Sequence, residues 1–235
     1  MNQQALPKWF LIMAHALPWG FLIYFLTVTL IDPQLMAQHI QKDHVDLGGL
    51  AENMTVIFLI PGIALGFYTF FTYRKNFNPP IIAYWLFLWS LACLYFAGEE
   101  ISWGQWIFGW ATPEQIASLN DQGETNFHNM SSWFDQKPRN LVELWIFITG
   151  VVFPFLSLFI DKIYNTEFKR WIHPVPTMVS AGIFYTVIRF ASLSSDSDIA
   201  NLFGSSEVRE MAVALYLSLF LCSFYLRIKT KNLLS

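Results

Sequence analysis

The sequence predicts an all-α membrane protein: a six-span transmembrane helical bundle with an interfacial or re-entrant helix after the third span. Three observations lead there. The 235 residues are 54% hydrophobic and only 13% charged, about half the charge of an ordinary soluble domain. Several apolar runs reach about 20 residues, the length that crosses a hydrocarbon core as a helix. Lys and Arg also gather on alternate connections, as in chains oriented by the positive-inside rule. The length suits a single polytopic domain. A formal net charge of -3 argues against a nucleic-acid partner, which would require a basic face.

The spans are expected at 9–31, 53–73, 80–98, 141–160, 175–190 and 208–226. Pro18 and Gly20 should bend the first, and Pro61 with Gly62 the second. The first apolar run is too long for a signal h-region, and no small-x-small site follows it, so it reads as a span. Cys93 and Cys222 fall inside spans and read as small packing residues, not as zinc ligands or a disulfide. The polar stretch 32–51 is expected at the interface.

Orientation follows from the cations. Lys8, Arg74, Lys75, Lys162, Lys169, Arg170, Arg227, Lys229 and Lys231 fall on one side; Lys42, Lys137 and Arg139, with Arg189 and Arg209 near span ends, fall on the other. Both termini are therefore expected in the cytoplasm and residues 99–139 outside it, in a cell inner membrane.

Residues 99–139 form the longest non-spanning segment. Trp103, Trp106 and Trp110 recur at helical spacing, which predicts an aromatic helix face over 101–110 lying in the headgroup layer. A re-entrant turn is the alternative, because Gly104 and Gly109 permit sharp backbone. Thr112-Pro113-Glu114 reads as the start of a short surface helix reaching 119.

Seven carboxylates collect at one level on that outer side: Asp32, Glu52, Glu99, Glu100, Glu143, Glu207 and Glu210. Such a layer suggests a cation, metal or proton site. Glu52, Glu207 and Glu210 open helices, where the macrodipole favours an acid. Glu143 follows Asn140, a plausible N-cap, yet points into an apolar run. Glu99 and Glu100 end a helix, where the dipole opposes them and they repel each other. Arg189, a metal, a shared proton or water must compensate. With His128 they are the candidate catalytic residues, acting as general acid or base.

Glu124 and His128 are four apart and would share a helical face. With Glu143 or the Glu99/Glu100 pair they could hold one divalent cation, the only cofactor this set implies. Trp103, Gln105, Asn126, Asn129 and Arg189 are the candidates for substrate contact. His15 is expected as a core histidine bonded to a carbonyl. His39 and His44 read as solvated, and Asp196-Ser197-Asp198 as a hydrated turn. No nucleotide-binding loop, haem-attachment motif, zinc-protease motif or nucleophile elbow occurs.

The run Gly98-Glu99-Glu100-Ile101-Ser102-Trp103-Gly104-Gln105, followed by Gln122-Gly123-Glu124-Thr125-Asn126-Phe127-His128-Asn129, resembles a family of uncharacterised bacterial integral membrane proteins. These share a GEEISWGQ-type signature and an ETN-x-HN element. The resemblance covers residues 98–129 and is only hydropathic elsewhere. Position 106 is Trp here, where the family pattern carries Arg, so a guanidinium that could offset the Glu pair is missing at that point. The resemblance implies where the site lies, and no particular chemistry.

Three functions are compatible with these residues. An enzyme could act at the outer interface on a lipid headgroup or lipid-linked substrate, with the bilayer itself as partner. An accessory or structural subunit of a membrane assembly would use the aromatic surface and outer segment as a partner face. An ion-coupled transporter would need midplane charges, and the sequence places none there.

Overall fold

The computed structural model describes residues 6–41, 49–114, 132–163, 165–194 and 198–233. It is all-helical, with six helical stretches long and apolar enough to cross a membrane, compatible with a polytopic membrane protein. The helices are α1 (Lys8–Ile31), α2 (Pro33–His39), α3 (Leu50–Tyr73), α4 (Ile81–Glu100), α5 (Gln105–Phe108), α6 (Ser132–Phe147), α7 (Phe153–Leu156), α8 (Glu167–Ile172), α9 (Val179–Leu193), α10 (Asp198–Phe203) and α11 (Ser206–Leu233).

The spans run alternately between two ends. One end, called here the basic end, carries Arg74, Lys75, Lys169, Arg170 and Lys229. The opposite end holds the close of α4 and the turn that follows it, and is called the hook end.

Burial sorts the spans. The α11 stretch is 89% buried, against 22% for α1. The last helix is therefore the axis of the bundle and the first is mostly exposed at its periphery. Small residues let α3 lie against that axis: a Cβ on Gly62 would stand 2.8 Å from the Ser218 Cα. Without a hydrophobic drive between helices in lipid, such close approach supplies the packing energy. Tyr68 meets Tyr225 two turns further on, so α3 and α11 run parallel. On the other side of α11, Trp145 of α6 packs against Trp89, Tyr216 and Phe220, with ring centroids 4.3, 5.8 and 5.1 Å away.

The fourth span is not a continuous α-helix. Residues Ile148–Val152 form a π-helical turn between α6 and α7. Pro154 accounts for it. Proline has no N–H to give to the Gly150 carbonyl, and its ring would collide with that carbonyl in an ordinary turn. There Gly150 and Gly182 bring α9 to backbone contact: a Cβ on Gly182 would fall 2.7 Å from the Gly150 carbonyl carbon and oxygen.

Several expectations need adjusting. The fourth span starts higher than position 141: α6 begins at Ser132, so Asn140 lies inside a helix and caps nothing. Hydropathy marks the apolar run, whereas the helix continues through polar residues beyond it. For the same reason α11 reaches Leu233, past the expected end at 226. The polar stretch after the first span holds α2, started by Asp32, whose carboxylate accepts from the Leu35 amide at 3.0 Å. Cys93 and Cys222 are free thiols, as expected. His15 bonds a hydroxyl and not a carbonyl: its Nδ1 lies 2.7 Å from Ser180 Oγ on α9.

Candidate functional site

The hook follows directly from the end of α4. Four residues within eight have left-handed backbone: Ser102 (φ 46), Trp103 (φ 55), Gly104 (φ 94) and Gly109 (φ 70). Glycine adopts this freely, but each of the other two costs about 1–3 kcal/mol. Contacts at Trp103 offset that cost. Its ring folds back over Gly98, where an added Cβ would be 2.9 Å from the indole. It meets Tyr95 edge-on at 6.0 Å, and its N–H donates to Glu99 Oε1 at 2.5 Å. After the turn comes α5, four residues long; the surface helix expected from 114 to 119 lies, beyond Glu114, outside the described residues.

The aromatic face expected over 101–110 therefore does not form. Trp103 sits in the reversal and turns toward α4, and Gly109 ends α5 before Trp110. Trp110 instead stacks on Phe108, at 5.7 Å and 10°. Gln105 Nε2 donates to Thr112 Oγ1 at 2.9 Å, tying the two sides of the hook. Thr112 is thus engaged as an acceptor within the hook.

Glu99 and Glu100 behave as their helical spacing requires. Glu99 is buried and Glu100 half-buried. The compensation for Glu99 includes the indole N–H, a charge-assisted hydrogen bond.

Arg189 is not the partner of that pair. It belongs to a second constellation, where α6, α9 and the start of α11 meet. Glu143 is the centre. Its side chain is only 7% exposed and is approached by three guanidinium groups. Arg209 Nε lies 3.1 Å from Oε1, Arg189 Nε 3.4 Å from Oε2, and Arg139 Nε 3.7 Å from Oε1. Arg139 also pairs with Glu210. A buried carboxylate in a bilayer protein needs such partners.

Beside this cluster, α6 and α9 leave a groove of about 390 Å³. Its polar lining is Glu143 and Asn140 from α6, with Tyr185, Thr186 and Arg189 from α9. Leu144 and Phe147 form one wall; Phe190 and Leu193 form the other. Its chemistry is amphipathic: a cationic, hydrogen-bonding strip inside an aromatic and aliphatic trough.

Sequence reasoning identified Glu143 and Arg189 separately and missed their company. Arg139 was legible, since Arg139 and Glu143 are four apart on one helix. Arg209 and Glu210 were placed at the same level, but their pairing with this cluster, like the presence of Tyr185, depends on helix packing and left no local signal. Arg189, expected as a substrate contact, lies beside Glu143 and lines the groove. For Glu143 the neighbours differ from expectation: three guanidinium groups stand where a cation was anticipated. Among the described residues no three of His, Cys, Asp or Glu converge as metal ligands. Glu124, Asn126, His128 and Asn129 lie outside the described residues. No family model matches the chain, and no curated protein or solved structure matches it either.

Proposed function

We propose that this polytopic protein acts on a lipid headgroup or lipid-linked substrate at one membrane interface, and that the groove between α6 and α9 receives it. The observation that carries this reading is the union, in one trough, of the Arg189 guanidinium with the walls Leu144, Phe147, Phe190 and Leu193. A polar head and an acyl chain need that pairing of surfaces. By the distribution of Lys and Arg, the hook end would face out of the cytoplasm of a cell inner membrane, with both termini inside. Glu99 and Glu100 are proposed as the acid–base groups of the same headgroup layer.

The test is lipid retention. Protein taken from native membranes into mild detergent should carry bound lipid visible in its mass spectrum. Thr186→Trp, which fills the trough, should release it. Wild-type protein that retains no lipid would overturn the reading. A reporter fused after Gln105 tests the sidedness independently.

One observation favours a second reading, as a subunit of a larger assembly. The α1 span is only 22% buried and presents Trp9, Trp19 and Tyr24 outward, an aromatic face of the kind a partner helix packs against. A neighbouring helix would cover it. This reading expects a polypeptide to co-purify, and a chain that is monomeric in mild detergent counts against it.

A further inference from the structure

We infer that the groove selects an anionic phosphodiester headgroup over a zwitterionic one, and that the free edge of Arg189 is the selecting group. The inference rests on the lipid-binding reading above and adds the charge class of the ligand.

Arg189 differs from its two companions. Arg139 and Arg209 are mostly covered, with side chains 23% and 15% exposed; that of Arg189 is 35% exposed and lines the trough. A guanidinium has five N–H donors. Arg189 directs Nε to Glu143 at 3.4 Å. One N–H on Nη1 goes to Ser192 Oγ at 3.1 Å. Ser192 is itself fixed, since its hydroxyl donates to the Arg189 carbonyl at 2.7 Å. The remaining Nη1 proton and both Nη2 protons have no bond to a described residue. Together they form the planar edge that takes two oxygens of a phosphate.

Glu143 can spare this partner. Arg209 is closer to it than Arg189 is, and Arg139 also approaches it. When an incoming phosphate turns Arg189 outward, the buried carboxylate keeps two guanidinium neighbours. The same arrangement disfavours an ammonium group. Among the described residues the only carboxylate lining the trough is Glu143, and it is screened by cations on both oxygens. A headgroup carrying both a phosphate and an ammonium therefore meets one attractive group and one repulsive neighbourhood, whereas a phosphodiester with a neutral hydroxylated end meets only the first. Asn140 and Thr186 supply neutral hydrogen-bonding partners for such hydroxyls.

The experiment is competition in the full-length protein. Purified protein in detergent is offered phosphatidylglycerol, phosphatidylethanolamine and inorganic phosphate, and bound lipid is counted by native mass spectrometry. Phosphatidylglycerol should be preferred over phosphatidylethanolamine by about tenfold, because both bring the phosphate and only the second also brings an ammonium toward the arginines. Inorganic phosphate, which cannot use the trough walls, should not displace it at equal concentration. Arg189→Ala should abolish the preference, bringing retention of phosphatidylglycerol down to that of phosphatidylethanolamine. Ser192→Ala, which loosens the edge without removing charge, should reduce it.

Equal retention of both lipids by wild-type protein would overturn the charge assignment and leave the lipid-binding reading standing. Retention of no lipid would overturn both. A preference unchanged in Arg189→Ala, or displacement of the lipid by phosphate at equal concentration, would also overturn the inference. The wild-type competition needs no variant, so a misfolded Arg189→Ala does not rescue the idea.

Discussion

Two buried arginine sites, one at each end of the bundle, solve the same problem differently. At the hook end, Arg139, Arg189 and Arg209 surround Glu143, and Arg139 also reaches Glu210. At the basic end, Arg227 is 4% exposed and has no carboxylate within ion-pair distance among the described residues. Its guanidinium lies over Trp171 at 4.3 Å and Phe224 at 5.0 Å. It donates to the Arg170 carbonyl at 2.5 Å and the Ser223 carbonyl at 3.3 Å. Aromatic faces and carbonyl dipoles can hold a single buried cation without a counter-ion. That solution is closed on all sides and fastens α8 to α11. The hook-end solution leaves one guanidinium edge facing a groove. The contrast separates a cation that joins helices from one positioned to meet a ligand.

The strongest way to break the comparison is Glu143→Gln. It leaves three guanidinium groups without their shared carboxylate and should cost about 3–5 kcal/mol, read as thermal unfolding in detergent. Arg227→Met should cost no more than about 2 kcal/mol, because it removes ring contacts and strands no opposite charge. If Arg227→Met proves the more damaging of the two, the basic end is the more electrostatically committed and the comparison is inverted.

A third, comparable test asks whether an indole can also hold an anion. Trp103→Phe keeps the ring over Gly98 but removes the donor to Glu99, and should cost about 2 kcal/mol. Proteolysis of the hook would report the local loss; an unchanged cleavage rate would show that Glu99 does not depend on that bond.

The smallest effect is with pH. His39 at the hook end, 2.7 Å from the Tyr24 hydroxyl, has its pKa lowered from 6.5 by burial. The folded protein then binds fewer protons there than the unfolded chain. Its contribution is present above 6.5 and is lost as the pH falls from there through the lowered folded value. A Tyr24→Phe, His39→Gln double variant should flatten that slope, whereas Arg227→Met should leave it alone.

The bundle itself was legible because spanning a bilayer leaves a one-dimensional trace. Apolar runs of fixed length announced all six spans, and the Lys and Arg pattern separated the two ends. Boundaries drifted where polar residues continued a helix, as at Ser132 and Leu233. The hook was half legible. Gly104 and Gly109 signalled sharp backbone, but nothing local showed that Ser102 and Trp103 would also turn left-handed. That conformation is held by the contacts of Trp103 with Gly98 and Glu99, which are tertiary facts. The arginine cluster was least legible. An inventory of acids at one level suggested a cation site, whereas packing brought Arg189 and Arg209 from two other helices onto Glu143.

The π-helical turn at Ile148–Val152 has a consequence for that cluster. It carries one residue more than an ordinary turn, and each α-helical residue advances the side chains by about 100°. Pro154→Ala would let the turn close to ordinary α geometry with its extra residue still in the chain, and so swing the upper half of the span by about that angle relative to the lower half. Glu143 would then point away from Arg189 while every apolar run kept its length. A single substitution invisible to hydropathy would thus dismantle the groove's lining and leave a membrane-spanning bundle behind.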